Sequence, residues 1–373
     1  MGNVQEKVKE ITTILKMNWL RSGRERQTPA INVLVVTDIG NDYDDMMAIL
    51  ILGFYHKLRK IRLRGIIVTL RPIEERAQLT DGLFRKMDIT DVEVALGTKG
   101  TDHDREQAAW TEEAMNASFR SRNKHDFPDY LDLSKRVLED ARRKGEKVRI
   151  LSIAGLRDTW KIIERDEQLF REVVSEVHIQ GGVDDQFHAA QDARNNTDDL
   201  DAANRVYAFL KDHNIPCTIY NKLAAFVSGF KKDVFDPGNY NRKHMKEVAA
   251  YIHNIHDRQK LAFYTEALKP KQERHNTWMD RGWFIKSSCT ADLPNSLKID
   301  EKSSADEIIK YTKVTPYDPI AALGCIREVV HVPVPRMRLT GEMYVVGQNL
   351  TEKDGQVLAE GIRSQMKQAL EIR

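Results

Sequence analysis

One feature constrains this chain more than any other: short, continuous apolar runs take turns with longer stretches of helical periodicity. The runs are "NVLVV", "IRLRGIIVT", "VEVALG", "KVRILSI", "EVHIQGG" and "PCTIY", all between residues 32 and 220. Among them lie the helix-like segments "IEERAQLTDGLFRKM", "YLDLSKRVLEDARRK", "LRDTWKIIE" and "DLDAANRVYAFLKDH". Strands that are apolar throughout have no face to offer water, so they belong inside a sheet covered on both sides. Alternation with helices makes that sheet mostly parallel. The fold class expected is α/β, with helices on both faces of the sheet.

The flanks are less regular. Val4, Val8, Ile11, Leu15 and Trp19 fall at helical spacing, so residues 1–30 read as an N-terminal helix and a linker before a main domain at 31–373. Met46 to Tyr55 is apolar almost all round, as a helix packed on a sheet would be. Residues 229–304 are rich in charge and aromatics and read as a helical cap or insertion over the sheet edge. After them come a helix in "TPYDPIAALGCI", a β-like stretch "HVPVPRMRLTGEMYVVG" and a closing helix "EGIRSQMKQALEI".

Lysine and arginine number 58 against 56 for aspartate and glutamate, which gives no basic surplus for nucleic acid. Three cysteines without Cys-x-x-Cys spacing fit a reducing compartment and neither a disulfide framework nor a thiolate zinc site. The longest apolar runs are too short for a membrane span. The N-terminus lacks the order of a secretion signal and the Ser or Thr of a myristoylation motif. The cytoplasm is the expected location.

Directly after "NVLVV" comes "TDIGNDYDD", which places Asp38, Asp42, Asp44 and Asp45 between two segments that both look buried. Repulsion and desolvation make such crowding costly unless something compensates. Helix capping at the start of the next helix explains one aspartate, or two. A hard cation such as Ca²⁺ or Mg²⁺ explains the set, because it takes carboxylate oxygens. An EF-hand beginning at Asp42 fails, since Met47 and Gly53 stand where Gly and Glu are needed. Gly40 rules out a phosphatase-like Asp-x-Asp, and no phosphate loop or Gly-x-Ser-x-Gly elbow occurs.

The acidic stretch resembles the N-terminal signature of the nucleoside hydrolases, the inosine–uridine-preferring N-ribohydrolase family. Their usual form is Asp-x-Asp-Pro-Gly-x-Asp-Asp before an apolar helix; here the loop is longer, and Val36 stands where the first Asp usually does. Four further segments follow in the family's order. "ILSIAGLRDTWKII" resembles its strand-turn-helix with Thr-Gly-Pro-Leu-Thr-Asn, and "VHIQGG" its Met-Gly-Gly strand end. "ARNNTDDLDAANRV" resembles Glu-Phe-Asn-x-x-x-Asp-Pro-Glu-Ala-Ala, and "TPYDPIAAL" its His-Asp-Pro segment. The resemblance covers roughly Asn32 to the C-terminus.

What the resemblance implies is a nucleoside-hydrolase-like catalytic domain at 31–373 that breaks the N-glycosidic bond of a ribonucleoside or related ribosyl compound with Ca²⁺ as cofactor. Asp38 would be base and metal ligand, with Asp45, Asp318 and the Ala154 carbonyl completing the protein ligands. Asp44 and Asn195 would hold ribose hydroxyls; whether Asp42 or Asp44 takes the first helix-start role stays open, with Asp44 favoured by its place beside "MMAIL". Asp199 falls at the Asp of Asp-Pro. Tyr317 replaces the His that some members place before the remote Asp. Either it is a core tyrosine or its ring stacks on the base, while its high reference pKa makes it a reluctant acid. Trp278, with His275 and Trp283, lies where the family has substrate-covering loops; base stacking and simple cap packing are both open.

The departures point to altered chemistry. "LRPIEER" replaces a Gly-Asn after the second strand, and Ala193 replaces a Glu that grips the ribose. Arg71 and Arg194 nearby make a 5′-phosphate or larger anionic substrate, a nucleotide or NAD-like compound, the rival expectation. A non-catalytic relative that binds metal and ligand is a third. His244, His253 and His256 lack the companions of a metal site, Asp184 and Asp185 fall at a strand end behind the site, and the Lys/Arg runs read as solvated faces. The implied partners are small molecules, with no nucleic acid and no membrane, and homo-oligomerisation is left open.

Overall fold

Ile31–Thr37 is buried on both faces beyond its first residue, and the sheet grows outward from it. The structure, a computed structural model, describes residues 30–371 apart from 41, 101–114, 122–125, 295–296, 298 and 301–302. The helix expected over residues 4 to 19 and the His244 side chain lie outside the described residues. The described elements begin with β1 (Ile31–Thr37), α1 (Asp44–Lys57), β2 (Ile61–Val68), α2 (Ile73–Lys86), β3 (Val94–Leu96), α3 (Tyr130–Lys144) and β4 (Val148–Ile153). They continue with α4 (Arg157–Arg165), α5 (Glu167–Val173), β5 (Val174–Gln180), α6 (Arg194–Thr197), α7 (Leu200–Asp212), β6 (Cys217–Tyr220), α8 (Lys222–Val227) and β7 (Phe230–Lys231). The last group is α9 (Lys243–Leu268), α10 (Arg281–Ser288), α11 (Ala305–Ile309), β8 (Lys313–Val314), α12 (Tyr317–Cys325), β9 (Met337–Thr340), β10 (Met343–Val346) and α13 (Glu352–Leu370).

Eight strands make one sheet in the order β3-β2-β1-β4-β5-β6-β10-β9. Every neighbouring pair is parallel except β10 and β9. Successive residues of β1 serve opposite layers, as a strand's two-residue period requires. Val33 and Val35 pack with α1, α2, α12 and α13, whereas Leu34 and Val36 pack with α3, α4, α5 and α7. The expected α/β class, a mostly parallel sheet with helices on both faces, is the observed one.

Two boundaries differ from expectation. The β-like stretch from His331 to Gly347 is strand only at β9 and β10, because Pro333 and Pro335 have no N–H to give a ladder. The closing helix starts at Glu352, eight residues before "EGIRSQ". A reciprocal capping box between Thr351 and Asp354 satisfies its first amides, and its polar opening turns carry no apolar period.

The 229–304 region is organised around α9, a helix of 26 residues. Its first half, through Met245, Val248, Ala249, Ile252 and Ile255, belongs to the main core. Its second half turns Tyr264 and Ala267 into a small separate core with Phe284, Ile299 and Ile308. β7 pairs antiparallel with β8, so the start of the region is fastened to the segment just before α12. The three cysteines are buried and free. Among the described residues, no helix is long and apolar enough to cross a membrane.

Candidate active site

From β1 the chain steps to β2 and β3 on one side, then returns to lay β4 along the other side of β1. Ligands in open α/β sheets bind beyond the strand ends where the order reverses in this way. Thr37 and Ile153 are register partners at the ends of β1 and β4, so Asp38 and Ala154 are the first residues past a matched pair. Ala154 is fully buried, and Asp38 half-buried.

The acidic loop turns sharply between β1 and α1. Gly40 has φ +102°, and a Cβ there would meet Met115 Cε at 2.9 Å, so this turn admits glycine alone without strain. The turn brings the carboxylates back onto one another: one oxygen from each of Asp42, Asp44 and Asp45 lies within 4.8 Å of the others. Asp42, spare in the sequence, is thus a member of the cluster. Asp44 and Asp45 occupy the first turn of α1 at 4% and 2% exposure, where free amides and the helix dipole favour negative charge. Thr37 donates its hydroxyl to Asp45 Oδ1 and accepts from the Ile39 amide at 3.2 Å. Asp318, in the first turn of α12, is 4% exposed, and its amide reaches Asp44 Oδ2 at 3.4 Å. Two helix N-termini therefore converge on one acidic centre.

The electrostatics show the strain of this gathering. Burial, joined by Asp42 and Asp198, pushes the Asp38 carboxyl up to about 7 against the opposing pull of Arg76. Asp44, Asp45 and Asp318 are raised well above the usual carboxylate range, by burial first and then by neighbouring carboxylates: Asp42 and Asp45 on Asp44, Asp38 and Asp42 on Asp45, and Asp44, Asp45, Asp42 and Asp38 on Asp318. An all-oxygen, hard donor set that is buried and mutually repelling fits a hard divalent cation such as Ca²⁺.

Two cations near the cluster escape sequence reading. Arg76, 2% exposed in α2, gives its guanidinium to four backbone carbonyls. It donates to Asp38 O, to Ile39 O at 2.8 Å, and to Leu70 O and Arg71 O at 3.1 Å each. It thereby ties the loop after β1 to the loop after β2, with its charge acting on Asp38, Asp45 and Asp42. Lys260 of α9, also 2% exposed, lies behind the acidic loop. In "IEERAQ" and "DRQKLAF" both read as ordinary exposed helix charges, because their partners are distant in sequence.

The other expected residues fall around this centre in different ways. Asn195 is 8% exposed in α6 and donates to Gln180 Oε1 at 2.6 Å, at the end of β5. A Cβ on Gly155 would come within 3.0 Å of Asp198 Cβ, so glycine lets this segment close on the β4 turn. Asp199 caps α7 through the Ala202 amide at 3.1 Å and pairs with Arg157 at 2.6 Å. Tyr317 is half-buried, edge-on to Phe226 at 6.1 Å, and burial with Asp44, Asp42 and Asp318 raises its pKa well above the usual range. Trp278 is 56% exposed and packs edge-on against Trp283 at 5.2 Å, within the cap. His275 is exposed. Asp184 is a turn residue, accepting from the Gln186 and His188 amides at 2.8 Å each.

The two arginines part company. Arg194 pairs with Asp198 at 3.0 Å. Among the described residues, Arg71 keeps a buried Nη1 with no hydrogen-bond partner, in the loop that Arg76 holds beside Asp38. His253 lies 3.7 Å from Asp257. His256 is fully buried, bonded to Asp257 and Lys313 O.

The sheet order and the acidic centre define an α/β protein with the nucleoside hydrolase fold. The type III effector XopQ, solved with adenosine diphosphate ribose, matches 96% of this chain and 99% of its own at TM-score 0.76 and 21% identity. The effector XOO4466 gives TM-score 0.73 and 22% identity over the same shares. An inosine-guanosine nucleoside hydrolase matches 91% of this chain and 98% of its own at TM-score 0.53 and 15% identity. The purine-preferring ribonucleoside hydrolase of Gardnerella vaginalis gives TM-score 0.56 and 12% identity over 90% and 99%. No protein-family model matches the chain, and no curated protein matches it significantly.

Proposed function

We propose that this protein hydrolyses the N-glycosidic bond of a ribonucleoside or related ribosyl compound in a Ca²⁺-dependent reaction, releasing base and ribose. The observation that supports this reading is the convergence of Asp38, Asp42, Asp44, Asp45 and Asp318 at the β1/β4 switch point of this fold. Residues 31–373 form the catalytic domain, and the chain acts on a small molecule in the cytoplasm.

Asp38, Asp45, Asp318 and the Ala154 carbonyl would hold the ion, which when bound would lower the pKa of a water and polarise sugar hydroxyls. Asp38 takes the water's proton. Asp44 and Asn195 hold the ribose hydroxyls, with Asp42 beside them, and the carboxylates stabilise the positive charge of an oxocarbenium-like transition state. Burial and the neighbouring carboxylates hold the Tyr317 hydroxyl well above its usual range, which makes it a reluctant acid, and its ring lies against the base. Trp278 is the cap's stacking residue. The test is release of free base from nucleosides with Ca²⁺ or with chelator. Asp45→Asn should lower turnover at least roughly 10³-fold, as expected for losing several kcal/mol of metal assistance; unchanged turnover overturns the reading.

A second reading concerns the ligand. The unpartnered Nη1 of Arg71 favours an anionic substituent, since a guanidinium pairs bidentately with phosphate, and XopQ was solved with ADP-ribose. A nucleotide or NAD-like substrate then replaces the simple nucleoside, or the chain binds such a ligand without cleaving it. Calorimetry with ADP-ribose and adenosine, on wild type and Arg71→Met, separates these: a phosphate site predicts that only ADP-ribose binding weakens. Binding without base release identifies a non-catalytic protein.

A further inference from the structure

Lys260 is a buried ammonium for which, among the described residues, no carboxylate lies within ion-pair distance. Its polar contact is Thr315 Oγ1 at 3.4 Å, and its Nζ lies 5.9 Å from the Tyr43 ring centre and 5.7 Å from that of Phe263. Burying a charge in this way is expensive, and two aromatic faces repay only part of the cost. The placement supplies the remainder. Tyr43 stands between Asp42 and Asp44, and Thr315 stands three residues before Asp318. The Tyr43 hydroxyl accepts from the Thr315 amide at 2.8 Å, which clasps the two acid-bearing segments together. Lys260 lies against this clasp, through the Tyr43 ring and the Thr315 hydroxyl.

Arg76 and Lys260 set two positive charges against five carboxylates. Arg76 serves the Asp38 side, and Asp44 and Asp42 are the carboxylates whose field reaches Lys260. We propose that Lys260 is a resident counter-cation for the acidic loop: it stabilises the carboxylates in the metal-free chain and competes electrostatically with the divalent ion for them. A positioning charge on α9 thus sets the site's metal affinity from outside the ligand set. The inference rests on the metal reading given above.

The test compares the full chain with Lys260→Met and Lys260→Arg, using Ca²⁺ titration calorimetry and thermal melting in EDTA and in saturating Ca²⁺. Removing one unit charge near the site should tighten Ca²⁺ binding roughly tenfold in K260M. K260M should also melt below wild type in EDTA, with the gap closing in Ca²⁺, while K260R follows wild type in both. Equal or weaker Ca²⁺ binding by K260M overturns the proposal, as does a shared shift of K260M and K260R, which would mark a packing effect. K260Q carries the same comparison if K260M does not fold. A wild-type chain that gives no Ca²⁺ isotherm rejects the metal reading and this proposal together. A normal wild-type isotherm that K260M leaves unmoved rejects this proposal alone.

Discussion

Arg76 shows how much of an acidic site depends on a residue that touches no substrate. Its guanidinium replaces water for four carbonyls in two loops, and its charge faces Asp38. Arg76→Met leaves those carbonyls buried and removes the counter-charge on the Asp38 side. The expected loss is about 3–5 kcal/mol of stability, read by urea denaturation of the metal-free protein. A loss within ~0.5 kcal/mol, the range of ordinary surface changes, would show that the loops hold without it. The aspartates themselves were legible, because four carboxylates between two apolar segments demand an explanation. Asp318 came only through resemblance, since a lone Asp-Pro in a helix start carries no signal of its own. Arg76 and Lys260 were illegible for a physical reason: a helix surface charge and a buried one have the same local pattern, and only tertiary packing separates them.

At the scale of elements, α4 holds the strand ends in place through Asp158, fully buried in its first turn. Its carboxylate accepts from the Thr98 amide at 2.8 Å and the Thr98 hydroxyl at 3.2 Å, joining the β3 exit to the β4 exit. Burial pushes this carboxyl from 3.8 up to about 6, against the hydrogen bonds from Thr69 and Thr98 that pull it down. Between those values the folded chain keeps a proton that the unfolded chain has released. The group's contribution to stability is therefore complete below about pH 4 and fades as pH rises through about 6. Asp158→Asn should flatten the fall in Tm between pH 4 and 7, and parallel Tm profiles for the two proteins would reject this. The strands themselves were readable because parallel pairing buries both faces and so writes an unbroken apolar run. The first turns of α13 were not, because a capping box needs two polar residues and no apolar period.

For the whole molecule, the fold gathers repelling charges, and on the proposed metal reading an ion that binds only the folded form adds to their relief. Ca²⁺ at a hundredfold excess over its Kd should add about 2.7 kcal/mol of stability. The check is a rise in Tm that EDTA reverses and that Asp45→Asn lacks; a wild-type Tm indifferent to Ca²⁺ contradicts it. The order β3-β2-β1-β4-β5-β6-β10-β9 makes this possible by putting β1 and β4 side by side at the reversal.

Finally, α9 spans two cores without a break. At 1.5 Å per residue its 26 residues make a rod of roughly 39 Å. The main core holds it through Ile255, so 13 residues, roughly 20 Å, lie beyond that point, and a bend of about 5° there would move Leu268 by about 2 Å. A ligand that pressed on the small core around Phe284 would therefore also move Lys260, five residues past Ile255, by about two-fifths of that distance.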